Sequence, residues 1–265
     1  MVAASCASVS PRVPAASSGA AVTGTASPAA SASTEVAPSP LPSAAASPSS
    51  SADPSPSPSA DPSPSPSAEP RPYRIDVWHS YALVTQSNLL YCVPGAAAIM
   101  VDLVRGRRAV DASVLPDMYA YGQTLAAYQN EGPGVDPVGW VGILDRWGAP
   151  GYTWRSYATL DEALHHAAMR LRATGRPIGL NVGIHRMHAW VITGFTTTAD
   201  PATGAFSVTG VAIAGPLWPF QRYYLGYFDM PPDTWLTPAK LAPAVRPFHA
   251  DVPTRWDGRY VTIEP

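Results

Sequence analysis

Residues 1–72 contain no Phe, Tyr, Trp or Ile, and every aromatic side chain of the chain lies from Tyr73 onward. That uneven distribution decides where a core can form. A segment made almost entirely of Ala, Ser, Pro, Thr, Val and Gly cannot bury enough apolar surface to offset the entropy of ordering it. Residues 1–72 are therefore expected to be a disordered, low-complexity segment, and residues 73–265 a single folded domain of ordinary size. The first segment also carries a short repeat. Ser51 to Pro58 (SADPSPSP) recurs as Ser59 to Pro66 and begins again at Ser67. Such a repeat favours an extended, polyproline-like spacer, suited to holding a domain away from a surface.

The formal net charge of −2 gives no strong attraction to nucleic acid or anionic membrane, and neither is expected as a partner. No apolar run is long enough to cross a bilayer. Met1 is not followed by the basic start and apolar stretch of an export signal. Val2-Ala3-Ala4-Ser5-Cys6 nevertheless has small residues before a cysteine, in the manner of a bacterial lipoprotein attachment box, with Ala3 where Leu is usual. The expectation is a secreted or surface-tethered protein; one possibility is that the true start and export signal lie upstream of Met1, with a lipid anchor at Cys6. The chain has two cysteines. A bridge from Cys6 to Cys92 would close a long disordered loop onto the domain, so Cys92 reads as a lone, reactive thiol.

Within the domain, Tyr73 to Val84 alternates as a leading strand or arm. Pro94 to Val104 has helical spacing, with Pro tolerated early in a helix and Gly106 as its stop. A second helix is predicted within Asp111 to Gln129, followed by a turn at Glu131 to Gly134. A third is capped by Asp136, has Pro137 at its first position and runs to Trp147. The plainest helix runs from Leu160 to Ala173, capped by Thr159, acidic at its start, basic at its end and closed by Gly175. The period then changes to two. Strands are predicted over Pro177 to Val182, His188 to Phe195, Phe206 to Ile213 and Gly258 to Ile263, with an aperiodic Pro-, Trp- and Tyr-rich stretch from Pro216 to Arg255. Helices first and an antiparallel sheet after them make an α+β domain.

Cys92 stands where a polar loop meets the first helix, in Gln86-Ser87-Asn88-Leu89-Leu90-Tyr91-Cys92-Val93-Pro94-Gly95-Ala96. The positive end of a helix dipole favours the ionised form of a thiol there. A cysteine hydrolase also needs an imidazole to pair with the thiolate and donors for the oxyanion formed on attack. His188 is the best placed of six histidines, at the start of the apolar strand His188-Ala189-Trp190-Val191-Ile192-Thr193-Gly194. His165 and His166 sit on a helix, and His79 and His249 in loops. Taken singly, a helix cysteine is often only a small apolar side chain, and a strand histidine is often only hydrogen-bonded. Together, in this order and on these elements, they point to nucleophilic catalysis. His185 and His188 form an H-x-x-H pair without the further ligands a metal site needs, so no metal or cofactor is expected.

The Gln86-x5-Cys92 spacing, the helix beginning at the cysteine and the later strand histidine resemble the papain-like cysteine peptidases. The details are similar to the branch related to bacteriocin-leader (double-glycine) processing, the peptidase family C-thirty-nine-like domains. Its Cys-x-Pro-Ala-type helix start is matched by Cys92-Val93-Pro94-Gly95-Ala96, and its His followed by an apolar strand ending in Gly by His188 to Gly194. The two motifs are short, and the order of elements extends the resemblance over residues 73–265. It implies a papain-like fold, with Cys92 as nucleophile and His188 as general base and acid. It also implies an oxyanion hole made by the Gln86 side-chain amide and the Cys92 backbone N–H. The family's third member is an Asp before a Pro, at the end of the strand after the His strand. Here that place reads Val211-Ala212-Ile213-Ala214-Gly215-Pro216, and Gly215 has no side chain to orient an imidazole. Asp200 before Pro201, Asn181 on the preceding strand and Asp229 are the candidates for a substitute, although Asp200 to Gly204 also reads as a hairpin turn.

The expectation is thus a cysteine hydrolase, a peptidase acting on peptide or cell-wall-type amide bonds. The alternative is a catalytically inactive papain-like domain serving as an extracellular binding module. Gly215 is that alternative's main support, with the aromatic stretch from Trp218 to Trp235 as a binding surface.

Overall fold

Seven antiparallel strands form one sheet with helices on both faces, in a computed structural model describing residues 71–127, 134–182, 188–219, 229–249 and 253–265. All of these residues fall within one compact unit, Ser63–Pro265. The low-complexity segment to residue 70, Cys6 in it, the turn at residues 131–133, His185 and most of the aromatic stretch at 220–228 lie outside the described residues.

The chain opens with β1 (Tyr73–Asp76) and a single 3-10 turn at Ser80–Ala82, a shorter strand than the alternation to Val84 suggests. Another 3-10 turn (Leu89–Tyr91) leads directly into α1 (Cys92–Arg105). Pro94 is accommodated in the first turn, and Gly106 ends the helix at φ 65°, a left-handed conformation that costs glycine little. α2 (Leu115–Leu125) is shorter than the stretch that suggested it, and α3 (Pro137–Trp147) follows. After β2 (Thr153–Tyr157), α4 (Leu160–Thr174) begins at Thr159, whose hydroxyl accepts from the Glu162 N–H. β3 (Ile178–Val182), β4 (His188–Thr197) and β5 (Val208–Ala214) make the centre of the sheet. β6 (Thr234–Leu236), α5 (Pro238–Leu241) and β7 (Tyr260–Glu264) complete it.

The strand order is β2-β7-β3-β4-β5-β6, with β1 pairing to the far end of β4. Alternation along the central strands sorts side chains into two cores. Ala189 and Val191 pack with α1, α2 and α3 around Ile99, Met100, Trp140 and Ile143. Leu180, Val182, Trp190 and Ile192 pack with α4 and α5 around Leu164, Leu171 and Leu241. Both faces of the central strands are therefore apolar, which is why His188 to Thr197 is buried almost throughout.

Asp136 ties two of these helices together. One carboxylate oxygen accepts from Gly139 N at 2.8 Å, capping α3, and the other accepts from Ala127 N at 2.7 Å, just past α2. Asp136→Ala leaves both donors unpaired in a largely buried position. It is expected to cost roughly 1–3 kcal/mol in urea denaturation. A change under a few tenths would mean the two amides find other partners.

Candidate active site

Cys92 is the first residue of α1, preceded by a 3-10 turn that Asn88 caps through its side-chain oxygen on Leu90 N at 2.9 Å. The first N–H groups of a helix have no partner within it, and they carry the positive end of the dipole. The thiol is half-exposed and unbridged. Gly95 lies in the first turn of the helix, closely backed by Pro216: a methyl group there would come within 2.6 Å of Pro216 Cβ and 3.6 Å of Gln86 Cβ. The absence of a side chain lets two other segments close on the cysteine's helix turn.

Gln86 is buried in the loop ahead of Cys92. Its backbone N–H donates to Pro216 O at 2.7 Å, and its Nε2 donates to Asn88 O at 2.7 Å. Its Oε1 is buried without a hydrogen-bond partner among the described residues. An amide nitrogen carries two hydrogens, so the bond to Asn88 leaves one free to donate. Thr85 Oγ1 adds a further tie, donating to Trp218 O at 2.8 Å. The loop before the cysteine is thus fastened to the turn that follows β5.

His188 begins β4, pairing with Val182 of β3, and is 8% exposed. Its Nε2 lies 3.1 Å from Asp229 Oδ1, and its ring also hydrogen-bonds with the Cys92 side chain. With Nε2 engaged by the carboxylate, Nδ1 is the nitrogen left to face the sulfur. Burial by itself disfavours a charged imidazole. The hydrogen bonds to Asp229 and Cys92, and the negative charge of both groups, outweigh it and raise the His188 pKa from 6.5 to about 10. These contacts favour the protonated form of the ring.

Asp229 is 1% exposed and its two oxygens accept three hydrogen bonds. Oδ1 takes His188 and, at 2.6 Å, Trp190 Nε1, and Oδ2 takes the backbone N–H of Leu217. A buried carboxylate is tolerated when it is paired and saturated with donors in this way. Trp190 reaches it because residues two apart on a strand share a face. That indole was not singled out from the sequence, although its position two residues after His188 was the available signal.

The other two candidates for the orienting group sit elsewhere. Asp200 is held by Arg172 of α4, with Nε and NH2 at 2.8 and 3.0 Å from its two oxygens, and it caps the turn between β4 and β5 by accepting from Ala202 N. Asn181 lies directly opposite Ala189 in the β3–β4 register. Directly opposed residues project from the same face, so Asn181 points away from the face carrying His188 and Trp190. Asp229 is the group the fold brings to the imidazole. No set of three or more His, Cys, Asp or Glu groups suited to a metal ion occurs among the described residues, and no helix among them is long and apolar enough to cross a membrane.

The chain matches no family model, no curated protein and no solved structure. The functional reading therefore rests on the constellation itself.

Trp190→Phe keeps an aromatic ring, smaller than the indole, and removes one of the three donors to Asp229. A hydrogen bond to a charged group contributes about 1.5–3 kcal/mol. The variant is expected to stay folded, with Cys92 alkylated about tenfold more slowly by a neutral electrophile. An unchanged rate would show that the indole N–H does not help hold the carboxylate.

Proposed function

We propose that this chain is a secreted or surface-tethered cysteine hydrolase of papain-like fold, a peptidase that cleaves peptide or cell-wall-type amide bonds. The observation that carries the reading is the line of contacts Cys92–His188–Asp229, ending in a buried carboxylate saturated with donors. Three such groups from three distant segments rarely meet in a structural core, where buried charge is costly without a role.

The chemistry follows from the contacts. The Cys92 thiolate attacks the carbonyl carbon of a bound amide and forms a C–S bond. The oxyanion takes donors from the Cys92 backbone N–H and the free hydrogen of Gln86 Nε2. The His188 imidazolium gives its proton to the amine nitrogen as the C–N bond breaks, leaving a thioester. Water then attacks the thioester and loses a proton to His188, and the C–S bond breaks to release the carboxylic acid and restore the ion pair. Asp229 keeps the ring oriented and balances its charge throughout, without itself taking the proton.

The alternative of an inactive binding module drew on Gly215, and the carboxylate of Asp229 now occupies the space beside that glycine. Placement outside the cell draws on the Pro- and Ser-rich composition of residues 1–72 and the small residues before Cys6.

The test is trapping. A peptide carrying an electrophilic carbonyl or vinyl sulfone is offered to the full chain from pH 5 to 9, and adducts are located by mass spectrometry. Labelling at Cys92 that persists to pH 5–6 and is lost in His188→Ala supports the hydrolase. A rate that rises only as an ordinary thiol ionises, indifferent to His188, would favour the binding module.

A further inference from the structure

A glycine at the end of β5 looks like the missing member of the site, and its surroundings give it a different meaning. Gly215 follows Ala214, which pairs with Val191, so it lies beside Trp190 in the sheet register. It is not among the glycines with positive φ, so its backbone conformation is open to any residue. Space is what sets it apart. A Cβ built on Gly215 would stand 2.2 Å from Asp229 Cγ, 2.2 Å from its Oδ2 and 2.6 Å from its Oδ1. These atoms are the end of a side chain, but that end is held by His188, Trp190 and the Leu217 N–H. It cannot yield to a methyl group without giving up those bonds.

We infer that Gly215 is a positioning residue: the volume its side chain would fill is the berth of the Asp229 carboxylate, so positions 215 and 229 are alternative mounts for one orienting carboxylate. The inference rests on the hydrolase reading for its catalytic meaning, and on geometry alone for the placement. The same turn strengthens it. Pro216 backs Gly95 of α1, and Pro216 O accepts from Gln86 N, so the residues after Gly215 join the loop before the nucleophile to the carboxylate behind the imidazole. Among the described residues, the charged groups that act on His188 are Asp229 and Cys92, so a displacement of Asp229 is read at the ring.

The experiment follows the His188 ring titration by nitrogen NMR in the full chain, beside kcat/KM on a peptide substrate. In Gly215→Ala the midpoint should fall by about one unit or more, as expected when an opposite charge is moved off a titrating group. kcat/KM should fall about 10²-fold, the scale of an ångström-level misplacement. Asp229→Gly should do the same, and Gly215→Asp with Asp229→Gly should return both values toward the wild type. A midpoint in Gly215→Ala equal to that of the wild type, or a double variant no better than Asp229→Gly, would overturn the inference. If Gly215→Ala does not fold, Gly215→Ala with Asp229→Gly is compared with Asp229→Gly alone: the added methyl then has room, so equal stability supports the berth and a less stable double variant refutes it. A chain whose ring titrates as described but whose Cys92 takes no electrophile would instead sink the hydrolase reading and leave the placement standing.

Discussion

Cys92→Ser is expected to lower kcat/KM by about 10⁴-fold or more, while the fold and its melting temperature stay close to those of the wild type. Cys92 is half-exposed at the start of α1, so exchanging its sulfur for oxygen disturbs little packing. The loss is chemical. A thiol can reside as a thiolate beside an imidazolium in the resting state, whereas a hydroxyl must surrender its proton during attack. Asp229 remains in the variant and still favours the protonated His188 ring, which leaves the ring poorly suited to take a proton from serine. The proposed site is thus suited to sulfur, and a Ser variant with more than a few per cent of activity would count against a Cys92–His188 ion pair. The same variant removes one of the two groups that hold the His188 proton, so the ring should titrate at a lower pH than in the wild type.

Most of the fold could be read from the sequence because its elements announce themselves by period and caps. Asp136 with Pro137, and Thr159 with Glu162, mark α3 and α4 at their first residues. β3, β4 and β5 follow from apolar runs bounded by turn residues. α5 escaped despite its Thr237 cap and Pro238, because four residues are too few for a period, and two strands escaped for want of either signal. β2 (Thr153–Tyr157) is polar and only half-buried on the sheet's edge, held by its pairing to β7, a contact from the far end of the chain. β6 has three residues and no room for a period. The α+β class survives these omissions because a sheet edge adds strands without changing its layers.

The site divides the same way. Cys92, His188 and Gln86 each carry a local signature, a helix start, a strand start and a fixed spacing. The orienting carboxylate has none. Asp229 lies 41 residues beyond its partner, within the aperiodic stretch from Pro216 to Arg255, and only three-dimensional closure of the chain brings it to the ring. Asp200 is a candidate because it precedes a proline, yet that dipeptide is also a turn signal, and Arg172 on α4 secures it there. What the sequence did offer was an absence, a glycine where the resemblance implied an acid, and a Cβ there would meet the Asp229 carboxylate.

Asp229→Asn tests both the stability and the chemistry of that arrangement. The substitution keeps the shape, and an amide oxygen on the Oδ1 side can still accept from His188 and Trp190. The amide nitrogen must then face the Leu217 N–H, so a donor meets a donor where the carboxylate accepted. Removing one member of a buried charged pair costs about 3–5 kcal/mol, and the wild type should exceed the variant by that order. The difference should depend on pH in a fixed direction. The folded-state pKa of His188, about 10, lies above its ordinary value of 6.5, so the ring binds its proton more tightly in the folded state. That stabilisation is fully present below about pH 6.5 and is lost as pH rises through 10. Because the carboxylate is a main source of the shift, the gap between wild type and Asp229→Asn should be widest near pH 6 and close toward pH 10. Activity should fall with it: loss of the equivalent charge in a serine-based triad costs about 10⁴-fold, and a preformed thiolate pair should soften that to about 10²–10³-fold. Urea denaturation from pH 6 to 10 gives the first result and kcat/KM the second. A stability gap that stayed flat across that range would mean that Asp229 holds the turn at Leu217 but not the charge on His188.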